Sequence, residues 1–144
     1  MTATTDTRDD GCTLSTDPAL VDLDLVHHWL STDAFWALGR SREKVALAAR
    51  NSVNFTVCDA DGVQIAYARV VTDHATFAWL CDVYVSPGHR GAGLGTWLAA
   101  SVRDHLAPYG LKRVLLSTRD AHEVYARAGF APHPDPGSLM ILEP

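Results

Sequence analysis

The sequence predicts a mixed α/β sheet, mostly antiparallel, with helices on both faces. Three observations carry that expectation. Period-two apolar runs fill residues 53–85, and apolar residues at helical spacing precede them. A strand ending at Val85 then passes through a glycine-rich bend into a long helical pattern and on to another strand. Such a strand, helix, strand unit makes a parallel pair by a right-handed crossover. At 144 residues with 47% apolar content, the chain has the size and core of one domain.

Residues 1–10 are polar and rich in Thr and Asp, and read as a disordered tail that leaves 11–144 as the folded domain. Residues 12–15 read as a first strand. Asp17-Pro18 has the residue types of an N-cap and first helical position, and Leu20, Leu23, Val26, His27 and Leu30 recur at helical spacing, so one helix is predicted to about Leu30. Residues 31–42 break that period and contain Phe35 and Trp36. A second helix begins at Ser41 or Arg42, with Glu43 near its positive end, and stops at Asn51-Ser52.

Strands at 54–59 and 64–71 flank Asp61-Gly62, a hairpin signal, and a third strand at 76–85 completes an antiparallel meander. The long helix spans about 91–106 and ends at Pro108-Tyr109-Gly110. A strand at 112–117 and a helix at 120–128, stopped by Gly129, come next. Leu139-Met140-Ile141-Leu142 is the apolar part of a final strand, reached through a bend marked by Pro132, Pro134 and Pro136.

The run Arg90-Gly91-Ala92-Gly93-Leu94-Gly95 carries the chemistry. A glycine bend opening a helix presents unpaired N–H groups and a positive helix end to an anion, and glycine lets the backbone approach it. A P-loop is excluded because the required Gly-Lys-Ser/Thr is missing. A dinucleotide fingerprint is a poor fit: Thr96 holds the third glycine position, and residues 86–90 separate the strand from the first glycine.

The pattern that fits is Arg/Gln-x-x-Gly-x-Gly/Ala after a strand ending in Val-x-Pro. It resembles the pyrophosphate-binding loop of the GNAT superfamily of acyl-CoA-dependent N-acetyltransferases. A second motif of that family, Asn-x-x-Ala-x-x-apolar-Tyr followed by Gly-Phe, is similar to Thr118-Arg119-Asp120-Ala121-His122-Glu123-Val124-Tyr125 with Gly129-Phe130. Thr118 stands where Asn is common.

The resemblance implies a single-domain GNAT-like fold whose parallel strands splay at a site for acetyl-CoA. Val83, Tyr84 and Val85 would offer backbone to the pantetheine arm, and the amides of Arg90, Gly91, Ala92, Gly93, Leu94, Gly95 and Thr96 would hold the diphosphate, with Thr118 near the cofactor. The resemblance also implies Tyr125 as the general acid and Asp82 as the carboxylate taking the amine proton. The opposing reading for Asp82 is a structural carboxylate paired to an N–H or an arginine, because an unpaired buried carboxylate is costly. His122 and Glu123 share the helix with Tyr125, His122 on its face. Phe35, Trp36 and Arg40 lie in the segment that sets acceptor choice in this family; Arg suits an acceptor bearing a carboxylate.

The implied activity is transfer of an acetyl group, by direct attack, to a primary amine of a small metabolite or amino-acid-like acceptor. The other readings are a protein or peptide N-acetyltransferase, and an acyl-CoA-binding regulatory or catalytically silent module. A net charge of −5 argues against a nucleic-acid partner or an anionic membrane surface. Cys12, Cys58 and Cys81 lack metal-ligand spacing, so no metal is expected, and Cys58 and Cys81, in apolar strand-like runs, read as buried thiols. No stretch is long and apolar enough to span a membrane, and the N-terminus has no apolar signal core, so the expectation is a cytoplasmic protein. A homodimer through a sheet edge is compatible with this pattern.

Overall fold

The computed structural model describes residues 3–144. One sheet organises them. Its strands are β1 (Thr5–Thr7), β2 (Thr13–Ser15), β3 (Val53–Cys58), β4 (Gln64–Thr72), β5 (Phe77–Val85) and β6 (Arg113–Leu116), in spatial order β1-β2-β3-β4-β5-β6. Only β5 and β6 pair in parallel. The helices are α1 (Leu23–Asp33), α2 (Arg42–Arg50), α3 (Leu94–Leu106) and α4 (His122–Arg127).

Alternation along the strands sorts the core into two layers. Leu94, Leu98, Val102 and Leu106 of α3 pack against Phe55, Val57, Ala66, Ala68, Val70, Ala78 and Leu80 on one face. Val26, Trp29 and Leu30 of α1 and Val45 of α2 cover Tyr67 and Tyr84 on the other. Each of the larger side chains, fully buried, contributes about 1.5–3 kcal/mol. The expected helices on both faces are therefore present.

Local signals account for most boundaries. Ser41 caps α2 by accepting from Lys44 N at 3.1 Å. The Asp59 carboxylate accepts from Asp61 N and Val63 N, both at 2.9 Å, and Gly62 takes φ +83°, which closes the β3–β4 hairpin. Asp17 and Pro18 do start a helical segment, but it is one 3₁₀ turn, Pro18–Leu20. The helix proper starts later because Asp22 supplies a second cap, accepting from Leu25 N at 3.1 Å, and it continues to Asp33 rather than ending near Leu30.

Two expectations are corrected. The supposed tail contains β1, paired antiparallel with β2. Side chains rather than apolar burial anchor it: Trp97 donates to Asp6 at 3.0 Å, and Arg8 donates to Ala92 O at 3.0 Å. Met1 and Thr2 lie outside the described residues. At the other end, residues 139–142 form no strand. Prolines at 132, 134 and 136 remove backbone donors, and the 3₁₀ turn Pro136–Ser138 sends the chain outward, leaving Met140 97% exposed.

Candidate active site

The strands part where the sequence placed the cofactor. β5 pairs with β6 from Phe77↔Arg113 to Leu80↔Leu116 and no further, while β5 itself continues to Val85. Val83, Tyr84 and Val85 thus have one flank open. The Tyr84 side chain is not on offer: it stacks on Trp29 at 5.2 Å and donates to Asp33 at 2.6 Å. Burial, with Asp33 beside it, pushes its phenol up to about 12.

Beyond β5 the chain makes a 3₁₀ turn at Pro87–His89 and enters the glycine bend. Gly91 and Gly93 sit at φ +84° and +79°, where a side chain would be strained, and Gly93 caps α3. The first amide of this stretch with a backbone partner is Trp97, which donates to Gly93 O at 3.0 Å; among the described residues those of 91–96 have none. Free donors at the positive end of a 13-residue helix suit a diphosphate. Gly95 has a different reason: a Cβ there would lie 3.3 Å from Val124 Cγ1, so it lets α4 approach α3. Gly93→Ala is expected to impose about 1–2 kcal/mol of left-handed strain and to weaken CoA binding up to roughly tenfold by calorimetry, with the fold intact.

The Arg90 side chain turns away from this cradle. It donates to Val85 O at 2.9 Å and to Asp33 at 3.2 Å, and lies 5.3 Å from the Tyr84 ring centroid. Its hydrogen bonds therefore lock the strand-to-loop corner to α1. Tyr84 first, then Arg90, holds the Asp33 carboxyl below its ordinary range.

A cavity of about 620 Å³ opens between the splayed strand ends, walled by Trp36, Cys81, Asp82, Thr118, Arg119 and Tyr125. Asp82 reaches it through a β-bulge. Tyr67 faces Tyr84 and Arg69 faces Cys81, so two β5 residues oppose one on β4, and Asp82 adopts φ +51°. Its carboxylate accepts from Trp36 Nε1 at 2.9 Å, Arg40 at 2.8 Å and Arg69 Nε at 2.9 Å. Burial pushes this carboxyl up, but Arg69 and Arg40 outweigh burial and hold it below its usual value. The same burial pushes the Cys81 thiol up to about 11.

Tyr125, on α4, faces the same cavity and meets Phe130 edge-on at 6.0 Å. Burial raises its phenol, and its hydroxyl has no hydrogen-bond partner among the described residues. Thr118 accepts from Ala121 N at 3.0 Å, so its hydroxyl shapes the entry to α4. Phe35 lies 3.6 Å beneath the Arg119 guanidinium, which bridges the α1–α2 loop to the α4 loop.

Seven of the sixteen residues singled out from sequence converge. Phe35, Trp36, Asp82, Val83, Thr118 and Tyr125 line one cavity, and Arg40 stands behind it on Asp82. Two residues were missed. Arg69 had a signal, a charge in the middle of the apolar run of β4; Arg119 had none, because its stacking partner is far away in sequence. Cys58 and Cys81, expected to be buried, are only partly so, whereas Cys12 is buried, and all three are free thiols.

An opened parallel pair, a helix-opening glycine bend and a half-buried phenol across the gap make a sheet with a cleft suited to an extended anionic ligand. Comparison with known proteins narrows that class. Residues 23–130 match the Acetyltransferase (GNAT) family, and the chain belongs to it. It is 30% identical to FG08082 of Gibberella zeae, named as an acetyltransferase, over 79% of this chain and 75% of that one. A GNAT-family protein from Xanthomonas campestris pv. campestris superposes with TM-score 0.85 at 44% identity, over 92% of both chains. Rv2747 from Mycobacterium tuberculosis, solved in complex with CoA, shares the fold at TM-score 0.65 and 19% identity, over 78% of this chain and 68% of that one.

Among the described residues no helix is long and apolar enough to cross a membrane.

Proposed function

We propose that the protein moves an acetyl group from acetyl-CoA to the primary amine of a small metabolite or amino-acid-like acceptor, by direct attack. The observation that carries this reading is the 620 Å³ cavity in which Trp36, Asp82 and Tyr125 face the open flank of β5. Its size and aromatic wall suit a small molecule rather than a long peptide.

Bound acetyl-CoA supplies an activated thioester. The chain's own groups do the rest. The free amides of 91–96 hold the diphosphate, and the open edge at 83–85 aligns the pantetheine arm. An amine arriving neutral forms the C–N bond as the C–S bond breaks. Tyr125 gives its proton to the departing sulfur, and a phenol raised by burial is still protonated at neutral pH.

Asp82 is assigned a different task from the one first expected. Both of its oxygens are taken by donors from Trp36, Arg40 and Arg69. A carboxylate so engaged and so acidic is a weak proton acceptor. Asp82 instead fixes Arg40 and Trp36 against the cavity, and the amine loses its proton to water.

Release of free thiol from acetyl-CoA, followed against amino acids, polyamines, aminoglycosides and short peptides, tests the reading. Amine-dependent release with a small acceptor supports it. Release with peptides only reassigns the acceptor, and CoA binding without turnover for any amine overturns the enzymatic reading.

A further inference from the structure

Two charges on the wall of the 620 Å³ cavity have no use within the protein. Arg119 and Asp120 both line it and are both exposed. Neither side chain holds a hydrogen bond or ion pair among the described residues. The remaining charge on that wall is spent. Asp82 accepts from Arg40 at 2.8 Å and from Arg69 at 2.9 Å, so two guanidinium groups surround one carboxylate and leave a positive surplus behind the wall. Arg40, the arginine expected from sequence to meet an acceptor, is committed to Asp82.

Arg119 is held ready for a partner. Its Cζ lies 3.6 Å from the centroid of the Phe35 ring, so an aromatic face fixes the head of a long side chain. The contact covers one face of the guanidinium. Its N–H donors lie in the plane and stay available, in the fork that matches a carboxylate. Phe35 meets Trp36 edge-on at 5.1 Å, and Trp36 donates to Asp82 at 2.9 Å. The stack thus ties the unpaired guanidinium to the buried cluster, and less side-chain freedom is lost when an anion binds.

The cofactor's phosphates are served elsewhere. Free amides at 91–96 suit them, and among the described residues none of the glycine bend lines this cavity. Arg119 shares its wall with Phe35, Trp36 and Asp82 instead.

We propose that the acceptor is an amino acid with a free carboxylate, and that Arg119 is the residue that reads it. The inference rests on the acetyl-transfer reading of the same cavity. The carboxylate pairs with the Arg119 fork, and the amine is left to reach the thioester beside Tyr125. An amino acid carries both signs of charge, as Arg119 and Asp120 do. A polyamine or an aminoglycoside carries one, and it meets like charge at Arg119 and in the surplus around Asp82.

Thiol release from acetyl-CoA, measured for a panel of L-amino acids each beside its own α-carboxamide, and for spermidine and an aminoglycoside, tests this in the wild type and in Arg119→Gln. The acid-to-amide ratio of kcat/KM is expected to fall by about 10- to 100-fold in the variant, the worth of one charge-assisted pair. A merely structural loss lowers both members of a pair alike, so a ratio unchanged by the substitution overturns the proposal. Wild-type turnover confined to spermidine or the aminoglycoside also overturns it, and leaves acetyl transfer standing. If no amine releases thiol, acetyl transfer falls, and calorimetric titration of the same amino acids into the CoA complex decides the site. Binding weakened about tenfold or more in Arg119→Gln keeps Arg119 as the carboxylate reader, and absence of binding removes it.

Discussion

Tyr125→Phe is expected to lower kcat by about 10²- to 10⁴-fold, the span associated with losing a positioned general acid, while the affinity for CoA stays within twofold. The substitution keeps the ring that meets Phe130 and removes one hydroxyl that holds no partner among the described residues, so little stability is at stake. Steady-state rates on the best acceptor, with calorimetric CoA binding beside them, separate the two effects. Because burial raises the phenol, the wild-type rate does not lose its acid until the pH passes the ordinary phenol value of about 10. A kcat unchanged in the Phe variant removes Tyr125 from the chemistry.

Asp82→Asn should destabilise the fold by roughly 3–5 kcal/mol, the usual consequence of removing one member of a buried charge cluster. Arg40 and Arg69 are left facing each other with side chains only 19% and 15% exposed, and that residual exposure points to the lower end of the range. Asn tolerates a positive φ almost as well as Asp, so the backbone at φ +51° is not the cause. On a chain of this size the melting temperature should fall by on the order of 10 °C.

The pH dependence of that stability carries a sign. The folded carboxyl of Asp82 is held below its ordinary value. Its contribution is therefore complete above the unfolded carboxylate value of about 3.9 and is lost as the pH falls through the lower folded value. Melting curves of the Asn variant should show a shallower acid decline than wild type over that window. Equal declines in the two proteins exclude Asp82 as the group responsible.

How much was legible in sequence depended on whether the signal was local. Ser41, Gly62, Gly93 and Gly129 mark their boundaries through their own backbone or side-chain geometry, and those elements were readable. The glycine bend and the Tyr125 helix were readable through two motifs at fixed spacing. Asp22 was not, because Asp17-Pro18 offers the same cap chemistry a few residues earlier, and only the sheet below decides between them: the Asp22 amide donates to Gln64 at 2.7 Å.

The Asp82 cluster shows the limit most clearly. Its partners are 46, 42 and 13 positions away, and the bulge that turns the carboxylate toward them has no residue signature. Sequence named the carboxylate and two of its three partners, and left open whether it takes a proton or is paired to an arginine; the pairing itself, with Arg40 and Arg69, is visible only in the fold. Strand β1 failed for a similar reason: in the supposed tail, polar composition matched disorder, while the groups that fix it, Ala92 O and Trp97, lie some 80 or more residues away.

That hairpin also bears on the order of assembly. Thr4 meets His105, Asp6 meets Trp97 and Arg8 meets Ala92 across sequence separations of 101, 91 and 84. Contacts closing such long loops form late in folding. On the ribosome the first strand emerges long before its partners exist, so it must wait, unpaired with them, until α3 has been synthesised. The Arg8 contact to Ala92 O ties that late-made strand to the glycine bend, so the bend is expected to gain its last support late in folding.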